Sequence, residues 1–265
     1  MEFAVSGQSV YAATGGRPFQ PGKRAAVFVH GAGVDHTIWN FQARHLAWRG
    51  LPVLAPDLPG HGRSAGRPLA TVQDMAAWLE AMLDAAGAGA PVLIGHSMGS
   101  LVALETAARL GSGAAGLVLL GTGLRMPVHP DLLAAAAAGK SAAIDLILSW
   151  AFAERGNVGG HPAPGLWMKG GARRLFERGL QGTLGIDLKA CDDYKDAERA
   201  AGRVACPAVL LLGAKDRMTP PKQGRELAGR ISGAAHRLLA DVGHMPSIED
   251  SVAVTAAIDD FLRTI

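Results

Sequence analysis

Short unbroken apolar runs alternate with helix-period stripes at both ends of this chain. Residues 25–29 (AAVFV), 51–55 (LPVLA), 91–94 (PVLI), 116–120 (GLVLL) and 208–212 (AVLLL) are such runs. A strand covered on one face alternates polar and apolar positions, so a run without polar interruption predicts a strand buried on both faces. Helical patterns lie near 38–49, 72–86, 98–110 and 222–231, and Thr71 with Asp74 opens the second at capping-box spacing. Such strand–helix repetition predicts an α/β fold: a mostly parallel sheet joined by right-handed crossovers. Ahead of it, Gly7 and the pair Gly15-Gly16 punctuate short apolar pieces, which predicts a leading antiparallel hairpin.

The rhythm breaks between about 125 and 203. That stretch holds an alanine run (134–138), a Gly/Pro-rich segment (156–165), then Trp167 and Phe176, and no clean strand pattern. It is expected to be a helical insertion between two strands, a cap (125–203) on a core made of 1–124 and 204–265. Its most apolar part, 132–152, is interrupted by Gly139, Lys140 and Asp145, which suits a pair of helices better than a membrane span.

Composition narrows the classes. The chain has 265 residues, 49% hydrophobic and 18% charged, enough for one substantial core and too apolar for a disordered chain. The formal charge of +3 comes from scattered residues, and aromatics make up only 5%, so a nucleic-acid surface is not expected. Two cysteines, Cys191 and Cys206, exclude a disulfide scaffold, although a single bridge stays open. Residues 1–5 carry no basic, then apolar, secretory pattern. The expectation is a soluble cytoplasmic protein with a small-molecule substrate and no membrane partner; oligomeric state is not readable.

Two segments match G-x-S-x-G: Gly95-His96-Ser97-Met98-Gly99 and Gly62-Arg63-Ser64-Ala65-Gly66. With 35 glycines in 265 residues, the pattern alone means little. Context separates the two. Ser97 follows the 91–94 run and precedes a helix-period segment, which is the strand–sharp turn–helix setting of a nucleophile elbow. Ser64 follows a turn-rich segment and precedes Arg67-Pro68, so it reads as a loop serine. At an elbow the small flanking residues let strand and helix approach, and the strained turn presents the serine oxygen. The same turn aims the Met98 N–H, at the helix start, toward developing negative charge.

A serine hydroxyl needs a base, and the base needs an orienting acid. Among nine histidines, His244 in Gly243-His244-Met245-Pro246 sits in a loop before the C-terminal helix and is the expected base. His96, His30 and His61 lie in or beside glycine turns, where structural hydrogen bonds are the expected role. His36, His45, His129, His161 and His236 have no motif setting. Asp216 stands just past the 208–212 strand, where open α/β sheets gather site residues, and is the expected acid. Asp241 is its rival by proximity to His244. The second oxyanion donor is expected after the first long strand, at Ala32 in His30-Gly31-Ala32-Gly33, with Gly33 as the alternative.

Together with Asp57-Leu58-Pro59-Gly60-His61-Gly62-Arg63-Ser64 and Gly213-Ala214-Lys215-Asp216, these motifs span the chain in order and resemble the α/β-hydrolase superfamily. The resemblance is to its short, capped branch of esterases, enol-lactonases and carbon–carbon bond hydrolases. It implies an eight-stranded, mostly parallel sheet, a cap between strands six and seven, and a site beneath it. Relatives that cleave epoxides or haloalkanes carry aspartate at the elbow, so serine at 97 counts against those chemistries. In the resembling proteins the 57–64 segment is a structural turn.

The expected activity is acyl transfer to water from a small or medium ester or lactone, with no cofactor and no metal. No H-E-x-x-H or phosphate-loop motif is present. Candidate substrate contacts are Gly33, Trp39, Met126, Trp150 and Trp167, with Met98 and Met168 as further apolar candidates; each large one could equally be core. Arg125, Lys169, Arg173 and Arg174 could hold a substrate carboxylate, which leaves a carbon–carbon bond hydrolase open. A non-catalytic ligand-binding module of the same fold is the remaining alternative.

Overall fold

A computed structural model describes residues 1–160, 167–179 and 181–265 of the chain. It opens with an antiparallel hairpin, β1 (Glu2–Val5) and β2 (Gln8–Ala13), turned at Ser6 and Gly7, both at positive φ. Then come β3 (Arg24–Val29), α1 (Asn40–Trp48), β4 (Val53–Pro56), α2 (Val72–Ala86), β5 (Gly89–His96), α3 (Met98–Leu110) and β6 (Gly116–Leu120). Between β6 and the next strand lie α4 (Pro130–Ala137), α5 (Ala142–Ala151), α6 (Met168–Gly179), α7 (Leu184–Asp193) and α8 (Ala197–Ala201). The chain closes with β7 (Ala208–Gly213), α9 (Pro221–Ala228), β8 (Ala235–Leu239), α10 (Pro246–Glu249) and α11 (Ser251–Leu262).

The eight strands form one sheet in the order β1-β2-β4-β3-β5-β6-β7-β8. β1 pairs antiparallel with β2 and β2 with β4; every other pairing, from β4-β3 to β7-β8, is parallel. Alternation along each strand feeds two separate cores. On β3, Ala25, Val27 and Val29 face one side with α2 and α3, while Ala26 and Phe28 face the other with α1 and α11. On β5, Leu93 joins the first core and Val92 and Ile94 the second. Burial on both faces is why these strands read as unbroken apolar runs.

β8 breaks that rule. Its residues Ala235, His236, Arg237 and Leu238 are exposed at the sheet edge, and its sequence carries no such run. α6 and α7 reach the loop after β3: a Cβ at Gly33 would lie 2.7 Å from Leu184 of α7, and one at Gly179 of α6 would land on the Gly33 carbonyl. The 132–152 stretch divides into α4 and α5 at Gly139, which has φ +62°. Ala197, Ala200 and Ala201 of α8 pack in the core layer of α3. Small alanines allow that close approach. No helix among the described residues is long and apolar enough to cross a membrane. Cys191 and Cys206 are buried free thiols, which corrects the open possibility of a bridge.

Candidate active site

Ser97 lies between β5 and α3 with φ 54° and ψ −120°, a conformation that side-chain-bearing residues rarely adopt. The turn closes because its flanks are glycine. A Cβ at Gly95 would land on the Gly99 carbonyl, and one at Gly99 on the carbonyls of Val29 and His30. The Ser97 N–H donates to the Leu120 carbonyl (2.9 Å), which pins the turn to β6. Ser97 stays half-buried, so its hydroxyl is within reach of a ligand.

The Ser97 Oγ lies 2.9 Å from His244 Nε2, and His244 Nδ1 lies 2.9 Å from Asp216 Oδ2. Burial works to raise the Asp216 pKa, but the His244 charge and hydrogen bond and the Thr219 bonds outweigh it, and the net direction is down. An ionised carboxylate only accepts, so His244 carries its proton on Nδ1 and offers the Nε2 lone pair to Ser97. Asp216 is fixed by the N–H groups of Met218 (2.9 Å) and Thr219 (2.8 Å) and by the Thr219 hydroxyl (2.7 Å). Three segments distant in sequence therefore meet within hydrogen-bond range. Asp241 is exposed and does not join them.

The loop bearing His244 has its own anchors. His96 Nε2–H donates to the His244 carbonyl (2.6 Å), and the His244 N–H donates to the Ala151 carbonyl (2.6 Å). Burial, with the neighbouring His244, lowers the His96 pKa to about 3, so the ring is neutral at working pH. Glu249 is wholly buried and accepts the N–H groups of Gly243 (3.1 Å), Met245 (3.0 Å) and Ala153 (2.8 Å). It was not foreseen. In the sequence it is one of two adjacent acids, Glu249 and Asp250, and nothing local marks it as buried.

Facing Ser97, Ala32 is partly exposed, and among the described residues its N–H has no partner. The Met98 N–H is the first of α3 and so has no intrahelical acceptor. Gly33 is not an alternative donor, because its N–H is given to Asp187 Oδ2 (2.8 Å). Between these groups lies a cavity of about 20 Å³, bounded by Ala32, Val34, Ile147, Phe176 and Met245.

The expected substrate contacts need correction. Trp39 is fully buried against Phe28 and edge-on to His96, behind the site rather than in it. Met98 and Met126 belong to the core on the α3 side, and Met168 to the opposite core. Trp150 borders a different recess with His129 and Met218, and Trp167 is 55% exposed with its ring over Gly170. Gly33 is covered by Leu184. Val34, Ile147 and Phe176 line the Ser97 cavity instead, and periodicity did not distinguish them from core. Arg173 pairs with Asp145 and Arg174 with Glu177 (2.9 Å); none of Arg125, Lys169, Arg173 and Arg174 lines the Ser97 cavity.

The remaining histidines are structural where described. His30 Nε2 accepts the Leu58 N–H (3.0 Å), His36 bonds Asp57 (2.8 Å) and His45 bonds Asp259 (2.7 Å). His129 and His236 are exposed, and His161 lies outside the described residues. In the 57–64 turn, Arg63 N–H donates to Asp57 (2.9 Å) and Ser64 Oγ accepts the Tyr11 N–H (3.0 Å). Asp35, His36 and Asp57 come together in a group of the kind that can hold a metal, but the Asp57 oxygens already accept from His36 and Arg63.

The chain is 30% identical over 251 residues to a pimeloyl-[acyl-carrier protein] methyl ester esterase of Chromobacterium violaceum, covering 90% of this chain and 94% of that one. A solved thermophilic esterase superposes with a TM-score of 0.81 at 26% identity, covering 100% of this chain and 97% of the other. The enol-lactonase of Burkholderia xenovorans superposes with a TM-score of 0.85, also at 26% identity, over 99% and 100% of the two chains. Residues 26–258 match the model of the alpha/beta hydrolase family, and the chain belongs to that family.

Proposed function

We propose that this chain is a serine hydrolase of small carboxylic esters, acting through an acyl-enzyme. The hydrogen-bonded line Ser97–His244–Asp216 carries the reading. In the first half, His244 Nε2 takes the Ser97 proton as Oγ bonds to the ester carbonyl carbon, and the carbonyl electron pair moves onto its oxygen. The N–H groups of Ala32 and Met98 hold that oxyanion. Collapse expels the alkoxide, which takes the proton from His244. In the second half, water gives a proton to His244 and attacks the acyl carbon, which releases the acid and restores Ser97. Asp216 keeps the imidazole in the tautomer each step needs.

A methyl ester is the favoured substrate class, since the relative from Chromobacterium violaceum is named for one. A carbon–carbon bond hydrolase is disfavoured, because the candidate cations are spent elsewhere or lie away from the cavity. Residues 125–203, less α8, are read as a cap over the site. A cytoplasmic setting, in which Cys191 and Cys206 stay thiols, fits the same reading.

The test is turnover of a short p-nitrophenyl ester and labelling by a fluorophosphonate. Wild type is expected to turn over and to label at Ser97. Ser97→Ala is expected to lose at least about 10³-fold in kcat with the fold retained. An alanine variant as active as wild type would reject the assignment, and a wild type that neither labels nor turns over would favour a binding module.

A further inference from the structure

Beneath the insertion, a buried carboxylate reaches down to the loop after β3. Asp187 of α7 is completely buried, and its Oδ2 accepts two hydrogen bonds: from the Gly33 N–H (2.8 Å) and from His61 Nε2 (2.8 Å). His61 is itself buried, and its Nδ1 faces the Pro59 carbonyl at 3.1 Å. Both ring nitrogens face acceptors, an arrangement that favours the protonated ring. Burial alone would lower the His61 pKa, but the hydrogen bond and charge of Asp187 more than offset it, and the net direction is up.

The same residue is packed from two further directions. A Cβ at Gly33 would press on Leu184 at 2.7 Å, and one at Gly179, the last residue of α6, would land on the Gly33 carbonyl. Gly33 also stands at φ +67°, a backbone conformation that favours glycine, and its N–H goes to Asp187 of α7. The neighbouring Ala32 N–H is left to border the Ser97 cavity.

We propose that Asp187 is a positioning residue for the oxyanion hole: from the insertion it fixes the Gly33 peptide, and thereby the direction of the Ala32 N–H. This rests on the hydrolase reading above. A misdirected donor weakens transition-state stabilisation while substrate binding is little changed, so the loss belongs in kcat.

The experiment measures kcat and KM for p-nitrophenyl butyrate in wild type, Asp187→Ala and Asp187→Asn. Active sites are counted by fluorophosphonate labelling. Inhibition by a trifluoromethyl ketone is measured alongside; its hemiketal forms by a bond from Ser97 Oγ to the carbonyl carbon, with the Oγ proton passing to His244 Nε2 and the carbonyl electron pair moving to the oxygen in the hole. For Asp187→Ala, kcat per labelled site is expected to fall about 30- to 100-fold with KM within about threefold, and the ketone Ki to rise by a similar factor. Asp187→Asn keeps an oxygen for Gly33 without the charge, and is expected to lose about three- to tenfold. A merely structural clamp would lower the fraction of labelled sites and leave kcat per site intact.

Both variants within twofold of wild type per site, or a loss confined to KM, would overturn the proposal. Should the alanine variant fail to fold, the asparagine variant decides by the same criterion. A wild type that neither labels nor turns over overturns the hydrolase reading and this role together. An active wild type with unaffected Asp187 variants overturns the positioning role alone.

Discussion

Ser97 holds φ 54° and ψ −120° because its neighbours leave it no other path between β5 and α3. Such a conformation costs about 1–3 kcal/mol in a residue with a Cβ. Ser97→Gly removes that strain, at about 0.5–1 kcal/mol of added chain entropy in the unfolded state. The variant is therefore expected to be inactive and more stable, by about 1 kcal/mol, or about 2 °C in Tm. A lower Tm in thermal denaturation would mean that the serine is not strained. The elbow was legible because its glycines stand between a buried-strand run and a helix-period stripe, a setting that the matching segment at Ser64 lacks. Asp187 and Glu249 were not singled out, since what they bind is backbone N–H in other segments. A trace of Asp187 was present: it falls on the stripe of Leu184, Leu188 and Cys191, an acid on the apolar face of α7.

At the scale of elements, local chemistry set most boundaries. α2 spans Val72–Ala86 as its pattern predicts, with Thr71 Oγ1 accepting the Asp74 N–H (3.0 Å) and Gly87 ending it at φ +65°. Thr71→Ala is expected to destabilise the protein by about 1 kcal/mol, read from denaturant midpoints, with esterase activity unchanged. No change in midpoint would show that the exposed cap is replaced by water without loss. α3 likewise matches its predicted span, 98–110. β8 was not legible as a strand, because an exposed edge strand of sequence AHRLL takes its conformation from pairing with β7 and not from its own pattern. α6 and α7 pack on the loop after β3 through Gly179 and Leu184, contacts that no periodicity within either helix announces.

Across the whole molecule, burial of histidine couples stability to acid. Burial, with the charge of His61, lowers the His30 pKa to about 4, and His96 stands at about 3, against 6.5 for an unhindered ring. A depressed pKa means that the unfolded chain binds more protons in this range. The stability these rings contribute is thus complete above pH 6.5 and is lost as pH falls toward 4 and 3. The slope approaches about 1.4 kcal/mol per pH unit for each ring. Asp57 and Asp216, also depressed, lose their share lower still, below the ordinary carboxylate value of 3.8. Glu249, raised above 4.5, acts oppositely just above that value, and His61, raised above 6.5, loses its contribution as pH climbs past neutrality. Tm is expected to peak near neutral pH and to fall steeply between 6.5 and 4; a flat profile over that window would contradict two neutral buried rings.

What the sequence alone determined was whatever is written within a few residues: the two-faced strands, the capped helices, the elbow, and the loops carrying His244 and Asp216. Those depend on periods of two and 3.6 and on glycine spacing, all local quantities. The tertiary structure decided which apolar side chains line the cavity and which fill the core, and it turned the Gly33 N–H toward α7 instead of Ser97. These are outcomes of distant segments sharing space: an apolar side chain looks the same to its chain neighbours in either place. A peptide's direction, too, is set by whichever acceptor the fold brings to it.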